Sequence, residues 1–217
     1  MMARGRERVP GQIQDPGTLT LAERKRAVTR SALSEAALRL AVEQGLEHVR
    51  VPDIAAAAGV SARTFNNYFS SKEEAVAAPA FDRMARVLAA FGQRPAAEPL
   101  WEAITQAILA QFPDTGPDPA AAAQARLISS SPGVWGEQLK MYATIESLLA
   151  GAIAERLGDT AEAGLLPRLV AGAAITASRV AFDHWLESQD GAPLRSVIAD
   201  ALGQFGAGFR PAGQRSW

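Results

Sequence analysis

The chain has 217 residues, a formal net charge of -1, a hydrophobic fraction of 48% and no cysteine. At roughly 100–200 residues per domain, this length fits one large domain or two small ones. The apolar fraction excludes global disorder, and the lack of cysteine excludes a disulfide framework, a thiolate zinc site and a thiol nucleophile. No apolar run approaches the roughly 20 residues that span a bilayer, and the charged start lacks the apolar stretch of a signal peptide. We therefore expect a cytoplasmic protein with no membrane partner.

Positive charge is concentrated at the front of the chain. Residues 1–72 hold 11 Lys and Arg against 7 Asp and Glu, whereas residues 73–217 hold 11 against 16. The near-zero net charge therefore does not exclude a nucleic-acid partner, because the distribution of charge matters more than its sum. Residues 1–19 combine three arginines with prolines and glycines and lack apolar periodicity. This composition predicts a flexible basic arm.

The first predicted helix begins after Thr20, because Glu23 follows at the spacing of a capping box. Gly45 predicts the end of this helix. Several apolar residues recur at helical spacing and predict one buried face. These residues are Val28, Leu33, Ala36, Ala37, Leu40 and Ala41.

Two short helices joined by a three-residue turn are predicted next. They cover residues 51–58 and 62–68, and Ser61 is the expected N-cap of the second. Small apolar residues on the first helix allow the second to cross it closely. Gly59 stands where the turn needs a positive φ, which glycine adopts without steric cost. The pattern is typical of a helix-turn-helix, whose second helix enters the major groove of DNA.

The rest of the chain predicts helices and no strand, because strict alternation of apolar and polar residues is absent. Ser71 and Glu74 predict a capping box for the fourth helix, and Pro79 should disturb its first turns. Later helices are predicted near residues 100–112, 120–129, 134–157, 161–188 and 194–209. The longest of them should bury a stripe made of Trp135, Leu139, Tyr142, Ile145, Leu149 and Ile153. The predicted fold class is all-α.

The segment around the helix-turn-helix carries a set of residues at fixed spacing: Ile54-Ala55, Ala58-Gly59-Val60-Ser61, Thr64, Phe69 and Lys72. In these residues the segment resembles the DNA-binding domain of TetR-family transcriptional regulators. Two positions depart from the family pattern: Asn66 stands where the family often has tyrosine, and Arg50 stands where it favours threonine. The resemblance implies a DNA-binding domain over residues 20–75. It also implies a helical ligand-binding and dimerisation domain over residues 76–210, followed by a tail over residues 211–217.

Side-chain chemistry suggests how the second helix would read DNA. Arg63 can form bidentate hydrogen bonds to guanine, and Asn66 or Asn67 can do the same to adenine. By resemblance, Thr64, Tyr68 and Lys72 would contact phosphates and fix the register. The full predicted DNA-contact set is Arg50, Ser61, Ala62, Arg63, Thr64, Asn66, Asn67, Tyr68 and Lys72. Each base-reading candidate could instead be a solvated surface residue.

The resemblance also implies a homodimer formed through the last two helices. Two DNA-binding domains whose recognition helices lie roughly 34 Å apart match a palindromic operator in double-stranded DNA. An apolar stripe of Val197, Ala201 and Phe205 suits such an interface, although the same residues could fill the core of one subunit.

The C-terminal two thirds of the chain contain large aromatic residues with a few polar residues among them. An apolar cavity that binds an effector requires this combination. The predicted effector-binding residues are Trp101, Ile104, Arg126, Trp135, Leu139, Tyr142, Glu146, Thr176, Arg179 and Asp183. Each of them alone could be ordinary core. Short motifs over residues 126–132, 154–158 and 181–185 resemble mycofactocin-type regulators, which are thought to bind acyl-CoA-like ligands. This resemblance implies an acyl-CoA effector, and a planar drug or metabolite is the alternative.

An enzyme with a helical fold is the main competing class. The two histidines, His48 and His184, are far apart in the sequence, and no metal-ligand spacing is present. We therefore expect no catalysis, no metal and no cofactor. A non-specific architectural DNA binder is a further alternative, which a test of sequence preference would separate. The favoured interpretation is a repressor that a hydrophobic small molecule releases from its operator.

Overall fold

The computed structural model describes residues 20–115, 122, 125–126, 129–158, 164–188 and 191–208. Within these residues the chain forms eight α-helices and no strand, which confirms the all-α fold class. The helices are α1 (Leu21–Gln44), α2 (Val51–Ala57), α3 (Ala62–Asn66), α4 (Lys72–Gly92), α5 (Leu100–Leu109), α6 (Pro132–Leu157), α7 (Leu166–Glu187) and α8 (Leu194–Gly206). The predicted basic arm and C-terminal tail lie outside the described residues. Most of the predicted helix over residues 120–129 also lies outside them. Its described positions, 122, 125, 126 and 129, are helical.

Both predicted ends of α1 are confirmed. The Thr20 hydroxyl accepts a hydrogen bond from the Glu23 backbone N–H at 3.2 Å, and the Glu23 carboxylate accepts one from the Thr20 backbone N–H at 2.8 Å. Gly45 follows the helix with a φ of 82°. The predicted buried face is wrong at Val28, which is 68% exposed. Residues 21–28 all lie on the surface, so the buried face of α1 begins only with its later turns.

The first three helices and the start of α4 enclose one hydrophobic core, which we call the head core. It includes Leu33 of α1, Ile54 of α2 and Phe65 of α3. The Phe65 and Phe69 rings lie 5.7 Å apart within it. Gly59 has a φ of 70° in the turn between α2 and α3, as expected. We call α1 to α3 and the start of α4 the head.

The third helix is shorter than predicted, because it ends at Asn66 rather than at residue 68. The Asn67 and Tyr68 backbone N–H groups bond to carbonyls three residues earlier, on Thr64 and Phe65. This tighter winding replaces the last α-helical turn.

Helix α4 runs without interruption past Pro79, so the predicted disturbance does not break it. The Ser71 hydroxyl caps it by accepting a hydrogen bond from the Glu74 backbone N–H at 3.0 Å. The reciprocal half of the predicted capping box is displaced by one residue, since the Glu74 carboxylate accepts from the Ser70 backbone N–H at 2.7 Å.

The second half of α4 and helices α5 to α8 form the body. Its main core includes Phe91 of α4, Ile104 of α5, Ile153 of α6, Ala174 of α7 and Leu202 of α8. Alanines line the buried side of α7, so α6 and α8 pack closely against it.

The predicted buried stripe of α6 is wrong at its N-terminal end. Trp135 and Leu139 are 37% and 50% exposed, whereas Val134 and Met141 are buried. The reason is that Val134 packs into the head core instead of the body core. The stripe is confirmed further along, where Ile145, Leu149 and Ile153 are buried.

Candidate DNA-binding surface and effector region

Helix α3 presents three polar side chains to solvent. Arg63, Asn66 and Asn67 are exposed, while Phe65 on the opposite face is completely buried in the head core. The buried phenyl ring anchors the helix, and the exposed residues stay free of the core. Arginine and asparagine carry the donors and acceptors that match the major-groove edges of guanine and adenine.

Two hydroxyl groups lie together at the start of α3. The Ser61 hydroxyl accepts a hydrogen bond from the Thr64 backbone N–H at 3.1 Å, and the two hydroxyl oxygens lie 2.9 Å apart. Ala62, between them in sequence, is half-buried. This cap starts the helix at the predicted residue and leaves Ser61 exposed beside its N-terminus.

Arg50 and Tyr68 lie on either side of the helix-turn-helix in sequence. Arg50 is exposed and precedes α2, and its carbonyl, rather than its side chain, accepts the first helical hydrogen bonds. Tyr68 is half-buried, and the Arg26 guanidinium of α1 lies 5.6 Å from its ring centroid. This contact connects the predicted phosphate-contacting tyrosine to a basic residue of α1.

Lys72 has a contact that the sequence did not reveal. Its ammonium donates hydrogen bonds to the backbone carbonyls of Leu46 at 2.7 Å and Val49 at 3.0 Å, and Glu47 O lies at 3.4 Å. These carbonyls belong to the connection between α1 and α2. Lys72 therefore fastens this connection to the start of α4, in addition to its predicted contact with a phosphate.

Three contacts join the head to the body. Arg30 Nη1 of α1 lies 2.8 Å from both carboxylate oxygens of Asp82 on α4, and its guanidinium stacks over Phe69. Val134 at the start of α6 is completely buried in the head core. The adjacent Gly133 lies against Glu73, where an added Cβ would come within 2.8 Å of Glu73 Cγ.

Three of the predicted effector residues lie together between α6 and α7. Arg179 Nη1 forms an ion pair with Asp183 Oδ2 at 3.2 Å. Burial raises the pKa of the Tyr142 hydroxyl, Asp183 raises it further, and Arg179 opposes this effect. An apolar cluster adjoins Tyr142, and its members are Met141, Ile145, Ile175, Ala80, Met84 and Leu88. The arrangement combines an apolar wall with a few polar groups, as an effector site requires.

The other predicted effector residues lie elsewhere. The Trp101 indole N–H donates a hydrogen bond to Leu202 O at 3.1 Å, and the indole ring stacks on Phe205. Trp101 therefore joins α5 to α8. Ile104 is completely buried in the body core. The Arg126 guanidinium donates to Leu186 O at 2.5 Å, near the end of α7. Sequence spacing did not reveal this separation, because it depends on how the helices pack.

Two further residues of the predicted set line two different cavities. Glu146 lines a cavity of about 530 Å³ between α6 and α7, together with Ser147 and Arg168. Thr176 lines a cavity of about 570 Å³ between α7 and α8, together with Val180 and Phe205. The remaining two, Trp135 and Leu139, lie exposed on the outer side of α6.

Within the described ranges, no group of three or more histidine, aspartate or glutamate side chains could hold a metal ion. No helix in the same part of the chain is both long and apolar enough to pass through a membrane. The fold and the exposed α3 together define a helix-turn-helix protein with a separate helical body.

Two family models match the chain. The model described as bacterial regulatory proteins, tetR family, matches residues 33–78. The model described as the MftR C-terminal domain matches residues 98–210, which is more than half of the chain. The two matches fall on the head and on the body.

Two known proteins with similar sequences support the same family assignment. The HTH-type transcriptional regulator TcmR of Streptomyces glaucescens is 34% identical over 183 residues, which cover 81% of each chain. A protein named as the mycofactocin biosynthesis transcriptional regulator MftR of Mycobacterium tuberculosis is 26% identical over 187 residues. That match covers 86% of this chain and 93% of MftR.

Solved structures share the fold. The fatty acid degradation regulator FadR from Bacillus halodurans aligns with a TM-score of 0.52 and 17% identity, over 84% of this chain and 96% of that one. A TetR-family transcriptional regulator from Rhodococcus sp. aligns with a TM-score of 0.54 and 18% identity, over 85% of this chain and all of that one.

The chain belongs to the TetR family of bacterial transcriptional regulators. Regulators of this family bind DNA and typically dimerise. They are not enzymes, so the relatives confirm the prediction that the chain has no catalytic function.

Proposed function

We propose that the chain is a sequence-specific repressor that binds a palindromic operator through α3. The observation that supports this proposal most directly is the exposure of Arg63, Asn66 and Asn67 opposite the buried Phe65. Arg63 would contact guanine, and either asparagine would contact adenine. Arg50, Ser61, Ala62, Thr64, Tyr68 and Lys72 would hold the sugar-phosphate backbone and set the register.

The proposed homodimer forms through α7 and α8. Exposed apolar side chains lie on α7, among them Leu169 and Val180, and a cavity between α7 and α8 is lined in part by Val197, Ala201 and Phe205. A second copy would cover this surface and hold the two heads at a fixed separation. A two-fold symmetric protein then matches a palindromic DNA site.

The proposed effector is a hydrophobic small molecule such as an acyl-CoA. The region around Tyr142, Arg179 and Asp183 is the best-supported part of the proposed site, because it joins polar groups to the apolar cluster that includes Met84 and Leu88. Met84 and Leu88 belong to α4, whose other end lies in the head. Binding there would release the operator only if the effector prefers one conformation of α4 over another.

The experiment is a binding titration of the purified protein with its own upstream intergenic DNA and with scrambled DNA of equal length. Both titrations are run at one stated salt concentration, with and without a long-chain acyl-CoA, because salt alone changes such affinities strongly. Preferential binding that acyl-CoA abolishes is the expected result. Preferential binding that ignores acyl-CoA would contradict the effector and keep the repressor, with a planar drug or metabolite tested next. Equal binding to both DNAs would favour the architectural alternative.

A further inference from the structure

The first two turns of α1 project beyond the head core. Residues 21–28 are all exposed, including the apolar Leu21 and Val28, so burial in the core does not hold this segment. A helical segment this short is marginal in water without other support. The capping box of Thr20 and Glu23 supplies that support locally. The cap therefore keeps the segment helical and fixes the directions of its side chains.

Positive charge is concentrated at this end of α1. Residues 20–34 contain one carboxylate, that of Glu23, and four basic side chains, which are those of Arg24, Lys25, Arg26 and Arg30. The cap occupies the carboxylate, because Glu23 Oε2 lies 2.8 Å from both the Thr20 backbone nitrogen and the Thr20 hydroxyl oxygen. An exposed segment with this excess of positive charge suits the phosphates of a nucleic acid.

Arg26 and Arg30 lie one helical turn apart on the side of α1 that faces the head. Arg30 forms an ion pair with Asp82, and its guanidinium stacks over Phe69. Arg26 stacks over the adjacent Tyr68 but forms no ion pair within the part of the chain that the structure describes. Like charges at this spacing repel each other. An anion beside Arg26 would remove that cost, and the N–H groups at the edge of the stacked guanidinium are placed to hold it.

Tyr68 indicates where such an anion would lie. It stands two residues after the end of α3, next to the exposed Asn66 and Asn67. The Arg26 guanidinium lies 5.6 Å from the centroid of its ring. Arg26 is therefore at the edge of the surface that α3 would present to the major groove. The anions of a DNA duplex at the edge of a groove are its backbone phosphates.

We propose that α1 is a further part of the DNA interface, in which Arg26 holds a backbone phosphate beside Tyr68. This inference rests on the proposed DNA-binding function and adds a contact from outside the helix-turn-helix. Lys25, the neighbouring exposed cation, strengthens the attraction of the same stretch of backbone. Because every DNA sequence carries the same phosphates, the contact increases affinity without selecting a base.

The test is a salt series of DNA titrations with the full-length wild-type protein and with Arg26→Gln. Each protein is titrated with the upstream intergenic DNA and with scrambled DNA of equal length. Arg26→Gln should weaken binding to both DNAs by the same factor, about threefold to tenfold per subunit at low salt. The slope of log affinity against log salt should decrease by about 1 per subunit.

Arg39→Gln is the matched control for the loss of one positive charge. Arg39 is an exposed arginine of the same helix and lies about 20 Å further along it. Affinity and salt slope should both stay at the wild-type values in this variant. A loss in Arg39→Gln as large as that in Arg26→Gln would show an effect of net charge alone and would overturn the proposal.

Two variants of Tyr68 test the position of the phosphate. Tyr68→Phe keeps the ring on which Arg26 stacks, so Arg26→Gln should have its full effect in that background. Tyr68→Leu removes the ring, and Arg26→Gln should then change affinity by less than about twofold. An equal effect in both backgrounds would contradict a phosphate held beside Tyr68.

The same titrations separate failure of this contact from failure of the proposed repressor. An unchanged salt slope in Arg26→Gln would overturn the α1 contact, even if the wild-type protein prefers its upstream DNA. A loss confined to one of the two DNAs would indicate a base contact and would overturn it as well. A reduced slope without any wild-type preference between the DNAs would support the α1 contact and contradict sequence-specific repression.

Discussion

The Ser34 hydroxyl of α1 donates a hydrogen bond to the Ala75 carbonyl of α4 at 2.8 Å. Ala75 lies four residues before Pro79, which has no N–H to donate to that carbonyl. Ser34 is buried, and it therefore satisfies the acceptor that the proline leaves open. This bond explains how α4 continues past Pro79, and it ties α4 to the head at the same point.

The hydrogen bond from Ser34 to the Ala75 carbonyl should contribute more to the free energy of unfolding when residue 79 is proline than when it is alanine. We expect Ser34→Ala to lower the free energy of unfolding by about 1–3 kcal/mol, because it leaves a buried carbonyl without a donor. In a Pro79→Ala background the loss should be smaller, since residue 79 then supplies its own N–H. Urea unfolding of the four proteins measures both losses. Equal losses in both backgrounds would show that the two residues do not share this carbonyl.

Arg63 is expected to read a base. Arg63→Ala should weaken binding to the operator by about 1–3 kcal/mol and relax preference at one base pair, because a bidentate contact to guanine is lost. Binding to a set of single-base operator variants measures this effect. Arg39→Ala is the matched control, since Arg39 is an exposed arginine of α1 outside the predicted contact set. If Arg63→Ala weakens every sequence equally, Arg63 contacts the backbone instead.

Lys72 should contribute to stability as well as to DNA binding. Lys72→Ala leaves the Val49 carbonyl without its donor, while the Leu46 carbonyl keeps only its bond from the Val49 N–H. We therefore expect the free energy of unfolding to fall by about 1–3 kcal/mol. The phosphate contact predicts, in addition, that the slope of log affinity against log salt decreases by about 1. Chemical unfolding and a salt series of DNA titrations measure the two effects separately. An unchanged slope would remove Lys72 from the phosphate contacts, and an unchanged stability would contradict the role of its carbonyl bonds.

Substitution by alanine should change the free energy of unfolding differently at two glycines of α6. Gly136 has open space around it, so Gly136→Ala should raise the free energy of unfolding by about 0.5–1 kcal/mol through backbone entropy. Gly133→Ala should give no such gain, because the new methyl group would meet Glu73 Cγ at 2.8 Å. Adding Glu73→Ala should restore the gain at Gly133. Thermal unfolding of these three variants and of the wild type checks this. An equal gain at both glycines would contradict the close packing of α6 on the head.

Tyr142 should ionise at higher pH than an ordinary tyrosine. Burial raises its pKa above 10.0, and Asp183 adds to the shift. The folded state then holds the phenolic proton more tightly than the unfolded chain, so this contribution to stability is complete below pH 10 and is lost as pH rises further. The chain has two tyrosines, so ultraviolet titration of Tyr68→Phe reports Tyr142 alone. An ordinary midpoint near pH 10 would contradict the burial of this hydroxyl.

The sequence predicted those features that depend on neighbouring residues. The capping of α1 by Thr20, the positive φ at Gly59 and the cap of α3 by Ser61 each involve residues within one helical turn. Local backbone chemistry alone specifies them. The exposed residues of α3 followed from the same local pattern.

The sequence did not predict contacts between distant segments. Lys72 bonds to carbonyls more than 20 residues earlier in the chain, and no periodic pattern signals such a bond. Periodicity also gave the wrong face of α6 near Trp135, because that turn packs on the head rather than on the body. The predicted effector residues separated for the same reason, since aromatic and polar residues at helical spacing do not show which neighbouring helix they meet.

The central claim is that two copies of α3 read a symmetric DNA sequence. Selection of binding sites from a random DNA library by the purified full-length protein tests it most directly. We expect an enriched inverted repeat with half-sites separated by about one helical turn of DNA. It should contain a guanine whose enrichment disappears in Arg63→Ala. A library that remains random after selection, at a salt concentration where the protein still binds DNA, would contradict sequence-specific recognition by α3.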